Sequence, residues 1–125
     1  MRIFKLKAFA RFQRRERIAD ASLAKAIGDA ARGLVDADLG GGLIKLRVPR
    51  LGAGKSGGYR TIIAYRREVR AVFLYGFAKS ERDNIDDDEL ASFRRRAAGL
   101  LSASVEALER MILVELMELE DDGEV

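Results

Sequence analysis

Several cations are spaced so that they can work on a phosphate. Lys45 and Arg47 alternate within Leu43-Ile44-Lys45-Leu46-Arg47-Val48, and Arg60 follows directly on Gly57-Gly58-Tyr59. In an alternating strand, Ile44, Leu46 and Val48 take one face and the two cations the other. With the apolar side buried, Lys45 and Arg47 point to open solvent, and Arg60 is expected as a surface arginine. Tyr75, Phe77 and Lys79 share a face at the end of a later strand. A cationic sheet face with an aromatic ring suits single-stranded RNA, because cations hold the backbone and a ring stacks a base. The plainer reading of Tyr75 and Phe77 is core packing.

Between these strands lies Gly52-Ala53-Gly54-Lys55-Ser56-Gly57-Gly58. Gly54-Lys55-Ser56 imitates the end of a P-loop, which needs a glycine five residues before the last one. That position is Pro49. A P-loop also opens a helix, whose amides hold the phosphate, whereas Tyr59-Arg60-Thr61-Ile62-Ile63 reads as a strand. The segment therefore joins two strands, which argues against ATP binding. What remains is a lysine, Lys55, flanked by glycines that let it approach a phosphate closely. A polar hairpin loop is the alternative.

The composition removes other chemistries. The 125 residues contain no cysteine and no histidine, so there is no disulfide framework, no thiolate metal site and no His-based acid and base. No cofactor and no metal are expected. No apolar run approaches the ~18–20 residues that span a bilayer, and the charged N-terminus does not read as a signal peptide. A cytoplasmic, membrane-free protein follows. The net charge of +3 hides an asymmetry: residues 1–79 carry 18 Lys and Arg against 6 Asp and Glu, and residues 80–125 carry 5 against 14. A basic body of net +12 suggests a polyanion partner, most simply nucleic acid. The other reading is a solvated basic surface balanced in space by the acidic C-terminal part.

The elements that must position these residues can be read from periodicity. Residues 2–6 suit a short edge strand. A helix follows over 7–17, with Phe9, Phe12 and Gln13 on one face. A second helix, capped by Asp20 or Ser22, buries Leu23, Ala26, Ile27, Ala30, Ala31 and Leu34. Residues 36–42 read as a loop. Strands follow over 43–48, 59–67 and 71–79, the last two as a hairpin. Asp86 to Glu89 favour the start of a helix running to about Leu101. In the tail, Val105, Leu108, Met111, Ile112, Leu116 and Leu119 suit a helix capped by Ser102 or Ser104, although Met111 to Val114 also suits a strand. The class is α+β: two N-terminal helices packed on one face of a small antiparallel sheet, then a C-terminal helix. Residues 1–101 form the main domain, and residues 102–125 an acidic helix or tail of the same domain.

The stretch "GKSGGYRTIIAYRREVRAVFLYGFAKSERDNI", Gly54 to Ile85, resembles the HigB/RelE group of type II toxins, and "LVDADLGGGLIKLRVPR", Leu34 to Arg50, matches the same branch. The likeness runs from about Phe4 to Leu101. It implies a RelE-like, microbial-ribonuclease-like fold and a metal-independent endoribonuclease that cuts mRNA on the ribosome. It also implies restraint by a cognate antitoxin, of helix-turn-helix type, in a toxin–antitoxin hetero-oligomer. In that chemistry the ribose 2′-hydroxyl attacks the adjacent phosphate and expels the 5′-oxygen. By position, Arg60, Lys55, Lys79 and Tyr75 are the implied catalytic residues, with Arg60 on the scissile phosphate. Lys45, Arg47 and Arg82 are the implied RNA-binding residues. The chain departs from the better-known pattern at Ser80, where a basic residue is usual, and near Asp86, where a tyrosine is usual. The general base is thus unassigned, a lysine among crowded cations and Tyr75 being the candidates. Two other readings of the same fold are a ParE-like toxin that binds DNA gyrase and an inactive nucleic-acid-binding relic.

Overall fold

A computed structural model describes residues 1–50 and 58–119. The chain runs β1 (Arg2–Leu6), α1 (Lys7–Glu16), α2 (Asp20–Ala31), β2 (Ala37–Gly40), β3 (Leu43–Val48), β4 (Tyr59–Arg66), β5 (Arg70–Ala78), α3 (Asp87–Ser102), α4 (Val105–Ile112) and β6 (Leu116–Glu118). The strands form one sheet in the order β2-β3-β4-β5-β1-β6. The class is α+β, as expected.

The helices lie on both faces of the sheet, not one. Phe9 of α1 and Leu23 and Ile27 of α2 pack with Ile44, Ile63 and Phe73. Leu100 of α3 and Leu108 of α4 pack on the other side with Phe4, Leu43 and Ile62. The reason is in the strands: Leu43-Ile44 and Ile62-Ile63 present apolar side chains to both faces, and each face must be covered.

Strand β1 is not an edge. It lies between β5, to which it runs parallel, and β6, to which it runs antiparallel. The expected loop over 36–42 contains β2, which pairs with β3 through a turn in which Gly40, Gly41 and Gly42 all have positive φ (81°, 65° and 82°). Only glycine adopts three such conformations in a row cheaply. The tail divides its two readings. Helix α4 ends at Ile112, and Leu116, assigned to its stripe, lies in β6 opposite Leu6.

Capping explains most of the boundaries. Asp86 accepts from the Glu89 amide while the Glu89 side chain accepts from the Asp86 amide, a reciprocal capping box opening α3. Ser104 accepts from the Ala107 amide and opens α4. Helix α2 differs from expectation: its N-cap is Ala19, without a side-chain cap. The Asp20 carboxylate instead accepts from Lys5 and Gln13, at 2.9 and 2.7 Å. Leu34 lies beyond the end of α2, after Gly33 with φ 86°, and is exposed.

Candidate functional site

Residues directly opposite one another on neighbouring strands project from the same face of a sheet. On the face that carries α3, the register therefore lays out rows. Leu43, Ala64, Val72 and Phe4 form an apolar row that belongs to the core under α3 and α4. The next row is Lys45, Ile62 and Tyr75, and the one after it Arg47, Arg60 and Phe77. One sheet face thus passes from apolar to cationic along the strands. The sequence brings Lys45, Arg47, Arg60 and Tyr75 together because three antiparallel strands are in register, with β4 central.

The environments of these cations differ. Arg47 is exposed, as expected. Lys45 does not point to open solvent: its side chain is 15% exposed and its Nζ is 3.8 Å from an Asp36 carboxylate oxygen. Arg60 is not a surface arginine either, being 6% exposed. Its Nε is 3.5 Å from the same oxygen of Asp36, and its Nη1 is buried with no hydrogen-bond partner among the described residues. A buried guanidinium nitrogen without an acceptor is costly.

Asp36 is the residue that sequence reasoning missed, because it reads there as the first residue of a loop. The backbone amide of Asp36 donates to the Lys45 carbonyl at 3.0 Å, which fixes it beside β3 one residue before β2. Strand β2 pairs only with Leu43, Ile44 and Lys45. Beyond this pairing, Asp36, Leu46, Arg47 and Pro49 line a cleft of about 450 Å³. Lys45 and Arg60 thus share one carboxylate oxygen of Asp36.

Tyr75 and Arg82 form a second group. The Tyr75 ring stacks on Phe93 of α3 with centroids 5.5 Å apart, and it meets Phe77 at 6.0 Å. Arg82 donates to the Tyr75 hydroxyl at 3.1 Å and, through two nitrogens, to both carboxylate oxygens of Glu89 at 2.6 and 3.1 Å. Its guanidinium also lies over the Tyr75 and Phe77 rings. These bonds hold the Glu89 carboxyl below its ordinary range, with the Asp86 amide adding to the effect. Arg82 is thus committed to a carboxylate. Phe77 is buried, in keeping with core packing. Lys79 is exposed in the turn after β5, with no ion pair among the described residues. Lys55 lies outside the described residues.

Tyr59 faces the other way. Its hydroxyl donates to Glu16 at 3.0 Å, and burial, with Glu16 beside it, pushes the phenol up. It is a poor proton acceptor.

Among families, a model described as the RelE toxin of the RelE / RelB toxin-antitoxin system matches residues 1–119. No curated protein matches the chain.

Proposed function

The chain belongs to the RelE toxin family of toxin–antitoxin systems, and from that premise we propose that it is a metal-independent endoribonuclease that cuts mRNA on the ribosome. The HigB-like branch rests on the motifs between Leu34 and Ile85. A cognate antitoxin comes with the family; that it is a helix-turn-helix protein, bound to the toxin as a hetero-oligomer, is part of the proposal. The toxin would act in the cytoplasm, where its substrate is. No helix among the described residues is long and apolar enough to cross a membrane.

One observation carries the reading: Arg60 is held in a wall of cations, with a buried nitrogen lacking an acceptor among the described residues. A phosphate oxygen satisfies that nitrogen, and a guanidinium fork grips a phosphate through two bonds at once. Lys45 and Arg47 on the neighbouring strand add charge where a phosphorane develops, and stabilisation of that charge is the term these residues supply best. Tyr75 lies one row away. Exposed Lys79 and, by resemblance, Lys55 would complete the ring of cations around the backbone. Arg82 enters as a residue that positions Tyr75 rather than one that contacts RNA.

The test is Arg60→Ala beside Arg60→Lys. Because Arg60 is buried, the alanine variant should lose about 1–3 kcal/mol of stability, so thermal melting must accompany the assay. Cleavage of ribosome-loaded mRNA should fall ~10²–10³-fold in the alanine variant. The lysine variant keeps the charge without the fork, and should stay folded and be impaired. A folded Arg60→Ala protein that arrests growth at the wild-type level would make this site assignment wrong.

A further inference from the structure

The geometry points to Asp36 as the group that takes the proton from the ribose 2′-hydroxyl. The inference rests on the nuclease reading above. It answers a specific gap, since the chain has no histidine and the other candidate acceptors on this side of the sheet, Tyr75 and Glu89, have partners among the described residues. The Tyr75 hydroxyl receives Arg82, and Glu89 is held by both Arg82 and the Asp86 amide. Tyr59 lies toward α1, bonded to Glu16. Asp36 is the carboxylate paired with Arg60 and Lys45 among the described residues.

Placement supports the role. Asp36 touches the Nε edge of Arg60, and the unpartnered nitrogen is Nη1 of the same guanidinium. A phosphate gripped by this guanidinium would bring its ribose toward the carboxylate on the Nε edge, where the 2′-hydroxyl can meet it. At 28% side-chain exposure, Asp36 is the most accessible of the three paired residues, so a substrate hydroxyl can reach it. Its backbone bond to β3 and its two cations fix its position without occupying all its lone pairs. A general base needs this combination of fixed position and remaining acceptor capacity.

The step balances. The Asp36 carboxylate takes the 2′-hydroxyl proton, O2′ forms a bond to phosphorus, and the bond from phosphorus to O5′ breaks. The departing O5′ takes a proton from water, and the hydroxide so formed recovers the proton from Asp36. The products are a 2′,3′-cyclic phosphate and a 5′-hydroxyl, with the protein unchanged.

Asp36→Asn keeps the shape and removes the proton acceptor; Asp36→Glu keeps the acceptor. Single-turnover cleavage of ribosome-loaded mRNA should fall ~10²–10⁴-fold in the asparagine variant and recover in part in the glutamate variant. Affinity is measured with a message carrying 2′-deoxyribose throughout the A-site codon. It should be unchanged or tighter in Asp36→Asn, because a negative charge beside the phosphate site is gone. Cleavage by Asp36→Asn within threefold of wild type would overturn the assignment. So would a loss of cleavage that only follows a loss of affinity, which is what a residue that merely arranges Arg60 and Lys45 would give. A wild-type protein that leaves ribosome-loaded mRNA intact refutes the nuclease reading itself, and the role of Asp36 with it.

Discussion

Arg82 shows how a charged residue in a matching motif can be spent on the fold. Its two bonds to Glu89 join the end of β5 to the first turn of α3, and a third reaches Tyr75. The Glu89 carboxyl is held below its ordinary value of 4.5, mainly by Arg82. A carboxyl depressed in the folded state adds stability that is present above 4.5 and is lost as pH falls through the folded value. Glu89→Gln retains a side chain that can close the capping box but removes the charge. The variant should melt below wild type at neutral pH, and the gap should close in acid, as pH falls through the depressed folded value. A gap of equal size at both pH values would contradict this origin. At this scale the sequence was partly legible. Alternation placed Lys45, Arg47 and Arg60 on one face, because register follows the pleat. It did not show Asp36 between Lys45 and Arg60, since a carboxylate seven residues upstream of β3 meets it only through the β2–β3 pairing. Nor did it show that Arg60 is buried.

At the scale of elements, strands β4 and β5 and helices α1 and α3 were legible from local period and caps. The place of β1 was not. Its five residues carry no mark of their neighbours, and the parallel pairing with β5 joins Arg2 to Arg70 across the chain. The division of the tail between α4 and β6 depends in the same way on β1 being available to pair. The packing of α1 on β5 has one close point that can be tested. A Cβ built on Gly76 would lie 2.4 Å from Cε2 of Phe12, well inside contact distance. Gly76→Ala should therefore cost ~1–3 kcal/mol by overpacking, read as a lower urea midpoint with unchanged slope. Phe12→Leu removes the ring atoms in the way. In the double variant the two effects should fall short of additive by more than about 0.5 kcal/mol. Strict additivity would mean that α1 does not press on β5 at this point.

Across the whole molecule, the charge asymmetry becomes a spatial one. The acidic residues after α3 that form ion pairs among the described residues meet Arg2 and Arg96: Glu109 and Glu118 on Arg2, and Glu115 on Arg96. Among the described residues, none of these three acids is paired with Arg47 or with an arginine of α1. The acid and base equipment is sparse, and an enzyme of this kind gains most when another body fixes its substrate. Holding the 2′-oxygen in line with the departing 5′-oxygen can contribute on the order of 7–11 kcal/mol to lowering a barrier, and a ribosome with an empty A site presents a message in a fixed path. The isolated protein should cut naked mRNA slowly and ribosome-loaded mRNA fast. Binding to the ribosome should weaken steeply with salt, because phosphates release counterions when cations replace them. On the proposed reading, in which Arg47 adds charge near the reacting phosphate, Arg47→Ala should lower the slope of log affinity against log salt by about 0.7–0.9 and also lower the single-turnover rate at saturation. Efficient, salt-insensitive cleavage of naked mRNA would refute this account, as would inhibition of DNA supercoiling with translation untouched.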